Sequence, residues 1–277
     1  MKRGDVLSIA SQYGLAPNKK LGQNFLIDEG LTDRIINTIS PSASESILEV
    51  GPGMGALTSI LINKVSHLTA VEIDSGLYRY LKDSLVDAEN LSLIHADYLK
   101  HEFSESFDKM VSNLPYYCAS EILFKSAVIF KKANLYVMLQ REMAERIVAS
   151  PSTKEYGALS VTLGYYYKPA ISMNVPREAF YPRPDVASVF MRLERREGSL
   201  TEDENEMFHK IVKSAFWGRR KTILTALTNS PHLDIPRDTI RDALYTLGFD
   251  EKSRGEEHAA EKYCELAKTL HTYSGKQ

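Results

Sequence analysis

A strand that runs into a glycine-rich turn and out into a helix is the feature that most narrows the folds open to this chain. Ile47-Leu48-Glu49-Val50 reads as a buried strand, Gly51-Pro52-Gly53-Met54-Gly55 follows, and a helix begins near Ala56. Glycines admit turns that a Cβ forbids and let the backbone approach a ligand closely. The helix N-terminus adds partial positive charge. A second apolar strand, Leu68 to Ile73, carries Glu72 near its end, 19 residues after Gly53. A carboxylate there can accept hydrogen bonds from ribose hydroxyls. The turn is therefore expected to cradle a nucleotide-like cofactor. Gly51-x-Gly53-x-x-Ala56 also satisfies the dinucleotide pattern, so the turn alone does not separate a dehydrogenase from a methyltransferase.

Two later strand ends make that separation. Leu91 to Asp97 reads as a strand whose terminal carboxylate can accept a hydrogen bond from an adenine amino group; the competing role for Asp97 is to cap the next turn. The short apolar run Phe107 to Ser112 then leads into Asn113-Leu114-Pro115-Tyr116. The exocyclic amine of adenine is a poor nucleophile, because its lone pair is delocalised into the ring. The Asn113 amide oxygen and the Leu114 carbonyl can both accept from that NH2 and fix the nitrogen in space. Pro115 has a fixed φ and no N–H, which stiffens the turn. Tyr116 offers a flat face for a base. By itself the tetrapeptide is an ordinary turn sequence. Following the glycine turn, it describes methyl transfer from a sulfonium donor to an amino nitrogen. A nicotinamide enzyme has no need of it, and no His or Tyr–Lys arrangement is placed for hydride chemistry. No metal is expected, since a sulfonium is already an activated leaving group.

With these residues in place, the chain resembles the small-subunit ribosomal RNA adenine dimethyltransferases along nearly its whole length. Lys20-Leu21-Gly22-Gln23-Asn24-Phe25-Leu26 looks like the family's N-terminal signature, and the segments around Gly51 and Asn113 match its cofactor and catalytic motifs. Tyr156-Gly157-Ala158-Leu159-Ser160-Val161 and the stretch from Phe180 to Ser188 match later ones. The resemblance implies that Asn24, Leu26, Gly51, Glu72, Asp97 and Asn113 contact S-adenosylmethionine, with Gly53 and Ile73 beside them. It implies that Tyr116 and Phe180 hold the target base between aromatic faces. The implied substrate is a pair of adjacent adenosines near the end of small-subunit ribosomal RNA, each methylated twice at N6. The antibiotic-resistance methyltransferases of large-subunit RNA share the first half of these motifs. Ala215-Phe216-Trp217-Gly218-Arg219-Arg220-Lys221 favours the small-subunit enzyme, although Trp217-Gly218 replaces an expected more polar pair.

Composition bounds the rest. The 277 residues suffice for a sizeable core and about two domains. No apolar run approaches the roughly 20 residues of a membrane helix, and no apolar signal core follows Met1-Lys2-Arg3-Gly4-Asp5. Cys118 and Cys264 match no metal spacing and are expected to stay reduced. The expected location is the cytoplasm, and the expected state a monomer. A net charge of −2 is unusual for a nucleic-acid-binding protein, so RNA contact must come from local patches. Arg219, Arg220 and Lys221, with Lys19 and Lys20 before the cofactor loop, are the candidates. Lys131-Lys132 reads as a solvated face.

The expected fold class is α/β, a Rossmann-like methyltransferase sheet over residues 1–198, with a small all-helical RNA-binding domain over 199–277. Residues 1 to about 30 look irregular, apart from their junction with a helical stretch at Leu31–Ile39. Strands then alternate with helices at 56–65, 75–86, 119–130 and 141–149, which means a mainly parallel sheet. Residues 158–167 and 186–193 read as strands of an antiparallel edge, with Tyr165-Tyr166-Tyr167 as sheet packing. Beyond Glu197–Thr201 the pattern is helical. Phe180 precedes Pro182 and Pro184, in what reads as a stiff loop holding an exposed ring for base stacking. The target adenosine is expected to leave its stack before reaction, and the partner is the immature small ribosomal subunit.

Overall fold

A computed structural model describes residues 1–18, 21–218 and 220–274. Lys19, Lys20 and Arg219, all expected to contact RNA, lie outside the described residues. In chain order the regular elements begin with α1 (Arg3–Tyr13), β1 (Phe25–Leu26), α2 (Glu29–Ile39), β2 (Ser46–Val50), α3 (Thr58–Leu61), β3 (His67–Glu72), α4 (Ser75–Ser84) and β4 (Leu91–His95). They continue with β5 (Lys109–Asn113), α5 (Ala119–Ile129), β6 (Asn134–Gln140), α6 (Arg141–Ile147), α7 (Ala158–Tyr166), β7 (Tyr167–Val175), β8 (Phe180–Tyr181) and β9 (Ser188–Arg195). The chain ends in α8 (Glu202–Trp217), α9 (Ile223–Asn229), α10 (Arg237–Thr246) and α11 (Ala260–Ser274).

Seven strands form one sheet in the order β4-β3-β2-β5-β6-β9-β7. The pairs β3/β4, β2/β3, β2/β5 and β5/β6 are parallel, while β9 runs antiparallel to β6. The strand order reverses between β2 and β5, the topological switch point at which open α/β sheets bind ligands. The central strands are buried along most of their length, as in Leu48, Val50, Ala70, Val71, Met110 and Val111. On β5 the buried Ser112 hydroxyl finds a partner, donating to the Val50 carbonyl of β2. This doubly wound sheet is the architecture expected from the alternating pattern.

Three local expectations need correction. Residues 3–13 are helical rather than irregular: the Asp5 carboxylate accepts from the Lys2 N–H at 2.6 Å, and Gly14, at φ 63°, closes the helix end. A left-handed glycine just past a helix is a stop signal, not a mark of irregular chain. Residues 158–166 are helix α7 instead of a strand. Seven of its nine residues are buried, so its apolar pattern shows no period to distinguish helix from strand. The Ser160 hydroxyl caps its start by accepting from the Gly157 N–H at 3.1 Å. The edge strand is β7, at Tyr167–Val175, which tolerates Pro169 because an edge leaves one side of the backbone unpaired.

The chain divides into two compact units. One comprises Met1–Ala144 and Pro169–Arg195 and holds the sheet. The other comprises Glu145–Lys168 together with the chain from Arg196 onward, so α7 joins α8–α11 in it. The helical unit therefore takes a segment from inside the span expected for the sheet domain. Its core includes Tyr263, Phe208, Ile211, Leu227 and Leu244. The Tyr156 hydroxyl donates to the His258 carbonyl at 2.9 Å, and Tyr263 donates to the Gly255 carbonyl at 2.6 Å. Thr201 caps α8 by accepting from the Glu204 N–H, and the Glu204 carboxylate accepts from the Thr201 N–H in return.

Candidate active site

The carboxyl ends of β2, β3 and β5 open onto a cavity of about 890 Å³ that is continuous with solvent. Its lining includes Asn24, Leu26, Gly51, Gly53, Glu72 and Ile73, together with the turn Asn113-Leu114-Pro115-Tyr116. Ten of the residues expected for cofactor and base thus meet in one place. They come from four stretches far apart in sequence.

The glycine turn takes the shape that its composition requires. Gly51, Gly53 and Gly55 have φ of 68°, 60° and 77°. A Cβ on Gly53 would lie 3.3 Å from the Phe25 ring, so the small residue also seats the N-terminal loop. Glu72, 3% exposed, accepts from the Gly53 N–H at 3.0 Å through one oxygen and from the Asp74 N–H at 2.9 Å through the other. Burial pushes its carboxyl above the usual range, the two N–H donors pull it down, and Asp74 adds a smaller upward push. Each oxygen keeps a lone pair for a ribose hydroxyl. Asp74 in turn caps α4, accepting from Gly76 and Leu77.

Across the cavity, the Asn113 side-chain NH2 donates to the Asn24 carbonyl at 2.8 Å. This bond fixes the amide plane and leaves the amide oxygen as the acceptor. Asn24 donates its own side chain to the Gly22 carbonyl at 2.9 Å. Gly22 lies against the turn: a Cβ there would sit 3.8 Å from the Tyr116 nitrogen and from the Tyr117 ring. The Tyr116 hydroxyl shares a hydrogen bond with Ser188 Oγ at 2.7 Å, which anchors its half-buried ring. Burial raises the pKa of that phenol, so the hydroxyl stays neutral.

Two expected residues lie elsewhere. Asp97 does not line the cavity; it accepts from the Leu99 N–H at 3.0 Å and pairs with Lys100 at 3.7 Å. That is the turn-capping role weighed against adenine recognition. Phe180 is 2% exposed, not a displayed ring. It pairs with Leu26 across the small sheet of β1 and β8 and joins a core containing Leu31, Ile35 and Phe190. The prolines that follow it suit a loop, but main-chain pairing with β1 makes a strand of Phe180–Tyr181 and buries the ring.

Among the further lining residues, Tyr117 and Glu49 carry chemistry of their own. Tyr117, 58% exposed, stands at the cavity as a second aromatic beside Tyr116. Glu49 is 2% exposed within β2, and its Oε2 has no hydrogen-bond partner among the described residues. The available signal for Glu49 was a charged residue in an otherwise apolar strand directly before the glycine turn. Among the described residues, no group of three or more His, Cys, Asp or Glu side chains is placed to hold a metal ion.

The cavity suits S-adenosylmethionine. The glycine backbone is bare of side chains, Glu72 presents acceptors for ribose, and Ile73, Leu77, Met54 and Met138 supply apolar walls. Buried carboxyls at Glu49 and Glu72 suit a ligand that carries positive charge. The doubly wound sheet and this site define an S-adenosylmethionine-dependent methyltransferase of the Rossmann-like class.

The comparisons with known proteins narrow the class. Residues 14–272 match the family model described as ribosomal RNA adenine dimethylase. The chain is 36% identical to the ribosomal RNA small subunit methyltransferase A of Moorella thermoacetica, covering 96% of this chain and 97% of that one. It is 38% identical to the protein of the same name from Anoxybacillus flavithermus, covering 95% and 93%. Among solved structures, a dimethyladenosine transferase from Plasmodium falciparum superposes with a TM-score of 0.77 at 24% identity, over 91% of this chain and 98% of that one. The 23S rRNA methyltransferase ErmE superposes with a TM-score of 0.66 at 28% identity, over 89% and 99%. The chain belongs to the ribosomal RNA adenine dimethylase family, whose members transfer methyl groups from S-adenosylmethionine to ribosomal RNA.

Proposed function

We propose that this enzyme dimethylates N6 of two adjacent adenosines near the 3′ end of small-subunit ribosomal RNA, acting in the cytoplasm as a monomer on the immature small subunit. The observation that carries the reading is the Asn113–Asn24 hydrogen bond, which turns the amide oxygen into a fixed acceptor at the cavity. The small-subunit substrate is supported by the names of the relatives at 36–38% identity. Large-subunit modification remains the second reading, through the likeness to ErmE.

Bound S-adenosylmethionine supplies an electrophilic methyl group on a sulfonium. The protein's task is to hold an amino nitrogen in line with it. Asn113 Oδ1 and the Leu114 carbonyl accept the two N6 protons, which fixes the nitrogen and favours a lone pair directed at the methyl carbon. Pro115 limits the turn's freedom, and Tyr116 provides the stacking face, held by Ser188. Tyr117 is placed for a second aromatic contact. Phe180 supports the cofactor loop by packing behind Leu26. No strong general base is required, because the alkylated ammonium is acidic and loses its proton to water. Arg220 and Lys221, both exposed, neutralise phosphates from the helical unit.

Incubation with methyl-labelled cofactor and unmethylated small subunits, followed by mapping of the modified bases, tests this function. Label on two adjacent small-subunit adenosines supports it. Label confined to large-subunit RNA overturns it in favour of the second reading.

A further inference from the structure

The Glu49 carboxyl lies at the cavity wall, and among the described residues no cationic side chain pairs with it. It is 2% exposed, and its Oε2 is without a partner among the described residues. Its strand neighbours are apolar: Ala70 on β3 and Val111 on β5. The titratable residue facing it from β3 is Glu72, whose charge opposes its ionisation. Lys109 of β5 is held at the far end of that strand by Glu45 at 2.8 Å and the Ser40 carbonyl. The Met1 ammonium, also at the cavity, pairs with Glu29 at 3.3 Å. From α3 comes the Thr58 hydroxyl, which makes no hydrogen bond among the described residues but lies where it favours the charged form. A buried carboxyl so placed resists ionisation until a positive charge arrives.

We infer that Glu49 is a proton-coupled charge discriminator. It is protonated when the cavity is empty or holds the net-neutral thioether product and ionised when the net-positive sulfonium donor occupies it, so it distinguishes the two. Burial, the largest cause, lifts its pKa to about 7, with Thr58 lowering it and Glu72 raising it, so both forms are accessible near neutrality. With the donor bound, the Glu49 O–H bond would break heterolytically, the proton would pass to buffer, and the carboxylate would offset the added positive charge in the cavity. After methyl transfer the sulfur is neutral. Glu49 then takes a proton back from solvent, and the product loses the attraction that held the donor. Donor and product share an α-ammonium and a carboxylate and differ by the one positive charge on sulfur, and it is that difference to which Glu49 would respond. The inference rests on the cavity being the cofactor site.

The test is calorimetric titration of the full-length protein with S-adenosylmethionine and, separately, S-adenosylhomocysteine, at about pH 6 in buffers of different ionisation heat. The donor should release close to one proton per site and the product far less. Donor affinity should fall about tenfold per pH unit below neutrality, while product affinity stays flat. Glu49→Gln should abolish the difference in proton release. In the wild type, infrared difference spectra should lose a protonated-carboxyl band on adding donor but not on adding product; this holds even if the variant fails to fold. Equal proton release by both compounds, an unchanged carboxyl band, or a difference that survives in Glu49→Gln would each overturn the inference while leaving the site reading intact. If neither compound binds, the site reading falls and the inference with it.

Discussion

The side-chain NH2 of Asn113 donates to the backbone carbonyl of Asn24 at 2.8 Å, joining the end of β5 to a loop 89 residues earlier. One amide proton is used inside the protein, and the carbonyl end of the same amide is presented to the cavity. The loop that carries Asn24 and the turn at 113–116 are thus held in a fixed relation before any ligand arrives.

Asn113→Ala should lower the methyl-transfer rate by about 100-fold or more, because it removes a preorganised acceptor from the reacting nitrogen. S-adenosylhomocysteine affinity should fall much less. Single-turnover transfer to unmethylated small subunits and calorimetry measure the two effects. A variant that methylates at the wild-type rate would remove Asn113 from the mechanism.

Tyr116 has separable ring and hydroxyl roles. Tyr116→Ala removes the stacking face, which is worth roughly 1–3 kcal/mol per base and so about 5–150-fold in RNA affinity or rate. Tyr116→Phe keeps the face and loses only the 2.7 Å bond to Ser188. Ser188→Ala should reproduce the Phe variant. Kinetics of the three variants decide; equal losses for Ala and Phe would assign the hydroxyl a chemical role.

The stability of the cofactor-free protein should depend on pH through Glu49. Its carboxyl is raised from 4.5 to about 7 by burial. The stability it contributes is present in full below pH 4.5 and is lost as pH rises through about 7. Glu49→Gln should therefore gain on the wild type as pH rises from 5 to 8, by up to the order of 3 kcal/mol. Denaturant melts of both proteins at several pH values read this directly. A gap that does not change with pH would show that Glu49 is charged throughout.

Charge reversal at Arg220 and Lys221, on the exposed segment after α8, should weaken RNA binding and reduce its salt slope by roughly one per lost phosphate contact. Filter binding across a salt series checks it. An unchanged slope would move the RNA contact elsewhere.

The central sheet and most of its site were legible because their signals are local. Buried strands running into Gly51, Glu72 and Asn113 define β2, β3 and β5, and the sheet order puts these three residues at one edge. Helix α7 was not legible, because burial on nearly all sides erases the period that separates helix from strand. Helix α1 was hidden by its polar content; only Val6 in it is fully buried. The exposure of Phe180 depends on its pairing with Leu26, a partner distant in sequence that no local pattern reveals. Glu49 was visible as a letter in the motif, but its uncompensated burial appears only in three dimensions.

The two short strands β1 and β8 carry a wider consequence. Phe25 lies opposite Tyr181, Leu26 opposite Phe180, and Ile27 donates to the Ala179 carbonyl at 2.8 Å. A copy lacking the front of the chain through Ile27 would therefore be wounded at both ends of this clasp. The stretch near residue 180 would lose its only zipper partner in that small sheet, although the cut lies far from it along the chain.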